Sequence, residues 1–257
     1  MEFKKVLITN FVKKSLEAYI IDLEFKNEVG KIKISTLASL SQELVNGKFY
    51  DVEPELLLLP RPGVSFQLGL GPLTFNDSKN KNQLQVGSNF LKIIIEKYEK
   101  WGTEYNKIKD IFRLLNPILE DITIKGFQIA CINSFDDINY EEEFLLNNFF
   151  THFVESKLKI NYEDFHIGLV PHIIKGDDEL EKIVIKLRGN PPKDPDFFLF
   201  KLESLFFKRN INLKISDPKL LSNINYGHDF LSYLFVNSLS DSYRKKIGLT
   251  FEYIEEG

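Results

Sequence analysis

SLEAYIIDLEFK, residues 15–26, is the stretch on which the fold turns. Its β-branched and aromatic residues favour extended backbone, and its period of two puts Tyr19, Ile21, Leu23 and Phe25 on one side. The same alternation leaves Asp22 and Glu24 together on the other side, with Lys26 just beyond. A strand with one apolar and one charged face belongs in an antiparallel sheet that covers a core on one side only.

The neighbouring segments fill in that plan. STLASLSQELVNG (35–47) opens on Ser/Thr, repeats Leu37, Leu40 and Leu44 at helical spacing, and stops at Gly47, which predicts a helix. A proline-rich connection, VEPELLLLPRPGV, punctuates the chain after it. VSFQLGLGP (64–72) and NQLQVGS (82–88) alternate apolar with polar residues and predict a β-hairpin, with FNDSKNK as its loop. From Ser88 to Asn116, apolar residues recur at intervals of three and four, from Leu91 through Tyr98, Trp101 and Ile108 to Leu115. This spacing predicts an amphipathic helix of roughly seven turns, limited by Pro117. ITIKGFQIACINSF (122–135) then reads as a long strand.

The second half repeats the order. EEEFLLNNFFTHFVESKL (141–158) carries acids in its first turn and predicts a helix. Four strands are expected at DFHIGLVPHII, EKIVIKLRG, DFFLFKLES and NINLKIS. Ser216 or Asp217 then caps a final helical region, with Pro218 at its first position. The expected fold is α+β: antiparallel sheets packed by long amphipathic helices, with a two-fold pseudo-repeat of strands then helix. The division falls at 1–136 and 137–257, as two domains or as halves of one.

Bulk composition removes several classes of function. At 43% hydrophobic and 27% charged, the 257 residues make an ordinary globular protein, and 23 Phe predict a core filled by aromatic rings. The net charge of −4 provides no general field for nucleic acid, and Lys13-Lys14 and Arg244-Lys245-Lys246 read as solvated faces. A nucleic-acid-binding module would have to use a local basic groove. The lone Cys131 excludes an intramolecular disulfide and a Cys-based zinc site. No apolar run is long enough to span a bilayer and no signal-peptide pattern opens the chain, so a cytoplasmic location without membrane attachment is expected.

Candidate chemistry is sparse. His166 and His172 lie six apart on predicted strand, about 20 Å by strand rise, and share a metal only if a bulge or Pro171 bends the chain sharply. No HxH, HExxH or Walker-type spacing occurs, GLGP (69–72) lacks the rest of a phosphate loop, and Cys131 sits mid-strand where a thiol is inert. No catalytic, cofactor-binding or metal residue is therefore assigned, and no cofactor is expected. Asp22, Glu24 and Lys26 are the sharpest enzymatic alternative, the carboxylate pair and lysine of a metal-dependent hydrolase or nuclease. Asp136-Asp137 and Asp177-Asp178 fit turns. His228-Asp229 and Ser240-Asp241 lie on the last helical stretch, roughly 18 Å apart by helical rise, and form no triad; His228 reads as an anchor of the helix start. Asp241 is placed to pair with Lys245, and Ser240 and Asp241, good cap residues, are placed to restart the helix after a kink.

Four segments together carry a resemblance: the strand LEAYIIDLEF, the segment NQLQVGSNFLKIIIEKYEKW with Tyr98 and Trp101, the strand FQIACINSF ending in Asn, and HDFLSYLFVNSLSD near the C-terminus. In their order and spacing the chain resembles a sporadically distributed, functionally uncharacterised family of bacterial and archaeal proteins of similar length. Where that family's strand carries arginine and tyrosine, this chain has Gln128 and Ala130-Cys131-Ile132-Asn133, so an activity resting on those side chains is not implied here. The patchy distribution implies a subunit of a multi-component bacterial system of the phage-defence kind. The leading expectation is a non-enzymatic protein-interaction or scaffold module, with a partner encoded nearby or a second copy of itself.

Overall fold

The computed structural model describes residues 5–11, 16–29, 32–33, 65–66, 72–77, 82–96, 98, 100–139, 165–169, 172–175, 179–190 and 197–254. The helices expected at 35–47 and 141–158 lie outside the described residues. The first half contributes β1 (Lys5–Phe11), β2 (Leu16–Phe25), the short β3 (Ile32–Lys33) and β4 (Ser65–Phe66), β5 (Leu73–Asp77), β6 (Asn82–Val86) and β7 (Phe90–Ile95). Helix α1 (Trp101–Leu119) and strand β8 (Thr123–Asn139) follow. The second half adds β9 (Phe165–Leu169), β10 (His172–Lys175), β11 (Glu179–Asn190) and β12 (Phe197–Lys214). It closes with α2 (Pro218–Ser238), α3 (Asp241–Lys246) and β13 (Leu249–Ile254).

One antiparallel sheet organises these elements, in the order β10-β11-β12-β8-β2-β7-β6-β5, with β9 on the same edge of β11 as β10. The fold is α+β, as the strand and helix patterns predict. The boundary expected at residue 136 falls inside β8, and β8 pairs with both β2 and β12, so the sheet runs through it. Outside the sheet, β1 and β13 pair antiparallel as a two-stranded ribbon.

β2 is the axis of this sheet, with β7 along one edge and β8 along the other. Tyr19, Ile21, Leu23 and Phe25 are buried on one face, together with Leu91 and Ile93 of β7 and Phe127 and Ile129 of β8. Helix α1 covers that face with Ile108, Ile111, Phe112 and Leu115, and α2 with Leu220, Ile224, Phe230 and Leu231. On the opposite face Ala130 and Leu205 form a separate small cluster, with Ile20 and Phe207 against it. The 3.6-residue stripes of both helices thus answer the period-two stripe of β2.

Two local expectations are corrected. Residues 90–95 are strand β7, so α1 starts only at Trp101, is 19 residues long and continues two residues past Pro117. FLKIII satisfies a three-and-four spacing by coincidence; its burial alternates strictly, with Leu91, Ile93 and Ile95 inside. The backbone turn closed by Gly87 N–H to the Phe90 carbonyl returns the chain directly from β6 to β7. Likewise the strand that pairs with β6 is Leu73–Asp77, where Leu73 and Phe75 are buried, and residues 64 and 67–71 of the expected strand lie outside the described residues.

The last helical region divides at its cap residues. Asp217 caps α2, its side chain accepting from Lys219 N at 2.8 Å. The helix stops at Ser238, and Ser240 restarts the chain as α3 by accepting from Tyr243 N. Asp241 pairs with Arg244 rather than with Lys245. The expected DFFLFKLES and NINLKIS strands are one, β12, interrupted where Asn210 and Asn212 adopt positive φ of 59° and 46°.

Gly126 of β8 lies close against the backbone of β12. A Cβ there would lie 2.7 Å from the Lys208 carbonyl oxygen and 3.1 Å from Arg209 Cα, both backbone atoms that have no room to give. At Gly102, on the exposed side of α1, a Cβ would meet nothing within 4 Å. Gly126→Ala is expected to lower stability by about 1–3 kcal/mol, whereas Gly102→Ala stays within about 0.5 kcal/mol of the parent or gains from helix propensity. Urea unfolding midpoints of the two variants check this pair.

Candidate functional site

The register of the sheet assembles side chains from four strands on the face opposite the helices. Phe207 of β12, Gln128 of β8, Asp22 of β2 and Lys92 of β7 lie directly across from one another and form one row. The next row runs Arg209, Gly126, Glu24 and Phe90. Gly126 adds no side chain to that row, so a gap of two strand spacings, about 10 Å, separates the positions of Arg209 and Glu24. The side chains of the two rows bound a depression of about 310 Å³, to which Asn89 and Phe127 also contribute.

Within the depression the charges divide into two kinds. Asp22 is bound by Lys92 at 3.2 Å and Glu24 by Lys125 at 2.9 Å. Burial pushes the Asp22 carboxyl above the ordinary carboxylate range; Lys92 opposes that shift by its charge and hydrogen bond, and the nearby Glu24 adds to it. Arg209 is exposed, and neither its guanidinium nor the Gln128 carboxamide makes a hydrogen bond or ion pair among the described residues. The site therefore holds one uncommitted cation and one uncommitted amide, both next to Phe207, beside two acids already paired with lysines.

The strand reading placed Asp22 and Glu24 on one face, and they lie there together. Lys26 does not join them: the β2–β8 register shifts after Glu24, and Lys26 Nζ reaches Asn212 Oδ1 at 3.4 Å instead. Among the described residues no three His, Cys, Asp or Glu side chains gather closely enough to hold a metal ion. Gln128 and Arg209 were not legible as site residues, because only the pairing of β12 with β8 and of β8 with β2 brings them beside Asp22.

A second polar constellation lies on the helix-covered face, and it is closed. His228 sits in the middle of α2, not at its start, and its ring stacks on Trp101 with centroids 4.0 Å apart and planes 4° from parallel. Its Nε2 meets the Tyr98 hydroxyl at 3.2 Å and its Nδ1 meets Asp229 Oδ1 at 3.4 Å. Asp229 Oδ2 receives Lys5 Nζ of β1 at 2.8 Å and Asn225 Nδ2 at 3.2 Å, while Trp101 Nε1 donates to Asn225 Oδ1 at 2.7 Å. Burial holds His228 below its usual pKa despite the neighbouring Asp229, so the ring is neutral near pH 7. It then donates from Nδ1 to Asp229 and accepts from Tyr98 at Nε2. Burial raises Asp229, but its hydrogen bonds and charge pairing with His228 and Lys5 outweigh this and hold it ionised. Cys131, directly across from Tyr19, has its thiol pushed up by burial and stays protonated. Both ring nitrogens of His228 are engaged, which gives the network an architectural role in tying α1, α2 and β1 together. His166 lies on β9 and His172 on β10, so the two stand on separate strands along the same edge of β11.

Comparison with models of known protein families and with curated proteins finds no match.

The buried neutral imidazole has a measurable consequence. An unfolded histidine takes up a proton near pH 6.5, whereas the folded one does not until the pH is lower. The unfolded chain thus binds more protons in that window, and stability falls as the pH drops below about 6.5, by at most about 1.4 kcal/mol per unit for this group. Urea unfolding across pH 5–8 is expected to show that slope, and His228→Gln is expected to flatten it relative to the parent.

Proposed function

We propose that the chain is a non-enzymatic binding module that docks a protein partner on the second face of its central sheet, centred on Gln128 and Arg209. The observation that carries this reading is the division of charge in the depression: Asp22 and Glu24 are occupied by lysines, whereas Arg209 and Gln128 are not engaged. Phe207 adjoins both, and an arginine beside an aromatic ring is the composition of an interface anchor.

The arrangement supports docking better than the alternatives. A metal-dependent hydrolase built on Asp22 and Glu24 would have to release both carboxylates from ammonium groups and recruit a third ligand. A nucleic-acid groove would bring phosphates against Asp22 and Glu24 in a protein of net charge −4.

Co-purification of tagged protein with the products of neighbouring genes tests the reading. A partner identified by mass spectrometry and confirmed with purified components is expected to bind at least about tenfold more weakly to Arg209→Glu, a loss of about 1.4 kcal/mol. Lys109→Glu, on the exposed side of α1, is expected to bind like the parent. Equal retention by both variants would remove the depression from the interface.

A further inference from the structure

We infer that the group taken up at this depression is a single carboxylate on an apolar stem, supplied by an acidic side chain of the partner next to an aromatic or aliphatic one. The inference rests on the docking reading and specifies its chemistry. Arg209 is the charged side chain of the depression with no counter-ion, so the missing partner is an anion. A guanidinium presents five donors in a planar fork, which matches the two oxygens of a carboxylate in a bidentate contact. Gln128 stands one row away on the adjoining strand, diagonal to Arg209, and its free amide N–H group supplies a further donor from the side.

The apolar part of the ligand follows from the same register. Phe207 is two residues from Arg209 on β12, so their side chains leave the sheet on one face, side by side. Phe90 closes the far end of the Arg209 row beyond Glu24. An acid followed by an apolar residue thus meets a cation and then a ring.

The number of charges is limited by the two acids. Asp22 and Glu24 keep negative charge, shared with their lysines, on the β2 side of the depression. One carboxylate at Arg209 stays about two strand spacings from Glu24, roughly 10 Å. A run of phosphates tracking across the sheet would be carried over both acids and pay for their repulsion.

The test uses the full chain and two capped dipeptides, acetyl-Asp-Phe-amide and acetyl-Asn-Phe-amide, with phenyl phosphate as a third probe. Binding is followed by NMR through the side-chain N–H signals of Arg209 and Gln128. The Asp peptide is expected to bind saturably in the millimolar range, and the Asn peptide at least about tenfold more weakly. Arg209→Gln is expected to remove the difference between the two peptides while its unfolding midpoint matches the parent, and Gln128→Ala to weaken the Asp peptide by a smaller factor. Equal binding of both peptides, no saturable binding of either, or tighter binding of phenyl phosphate than of the Asp peptide would each overturn the carboxylate assignment. If that happens while Arg209→Glu still loses its protein partner, docking at this surface stands and only its chemistry is wrong.

Discussion

Strand β2 is hydrogen-bonded along both edges, to β7 on one side and to β8 on the other. Its side chains therefore have two directions left, and its sequence assigns a different chemistry to each. Tyr19, Ile21, Leu23 and Phe25 leave water on one face, each burying an area worth on the order of 1.5–3 kcal/mol. Two amphipathic helices with complementary stripes then have a surface to cover. Asp22 and Glu24 go to the other face by the same alternation, and a slip of one residue would exchange the two sets. The position of the core and the character of the second face are one decision.

On the helix-covered face, polar groups are tolerated because they satisfy each other. Trp101, Asn225, Asp229, His228, Tyr98 and Lys5 form a continuous chain of contacts from α1 through α2 to the β1–β13 ribbon. Breaking one member leaves its neighbour without a partner in a place where that costs about 1–3 kcal/mol. The ribbon also meets the main body through apolar contacts such as Val6 and Leu249, and through the Tyr253 hydroxyl, which donates to Asn237 Oδ1 at 3.0 Å. Lys5 pins its register to Asp229 by charge. The second face follows the opposite rule: its lysine–carboxylate pairs are partly hydrated and each contribute little to stability, about 0.2–1 kcal/mol.

The degree to which all this could be read from residues alone depends on range. Period-two stripes at 15–26 and 122–135, the Asp217-Pro218 start of α2 and the restart at Ser240 are local signals, and each element stands where its signal lies. The α+β class follows from them. FLKIII misled because short apolar runs fit both periods, and only pairing with β2 and β6 selects the strand. The same limit governs the site. Asp22 and Glu24 were legible as a pair on one face, since strand alternation is local. Gln128, Gly126 and Arg209 acquire their meaning from two long-range registers, Arg209 with Gly126 and Gly126 with Glu24, and no spacing in the sequence encodes them. His228-Asp229 was conspicuous as a dipeptide, yet its stacking on Trp101 depends on how α2 lies against α1.

What distinguishes the second face is thus an arginine and an amide left uncommitted beside acids that are already paired. Docking at this face requires Arg209 to be free in the isolated chain and engaged in the complex. Arginine-selective labelling with phenylglyoxal, read residue by residue by mass spectrometry, measures that directly. Arg113, exposed on α1 and paired with Asp110, serves as the internal reference. The predicted result is rapid modification of Arg209 in the protein alone and protection of Arg209, but not of Arg113, once the partner is bound. Slow modification of Arg209 in the protein alone, or equal modification in both states, would contradict it.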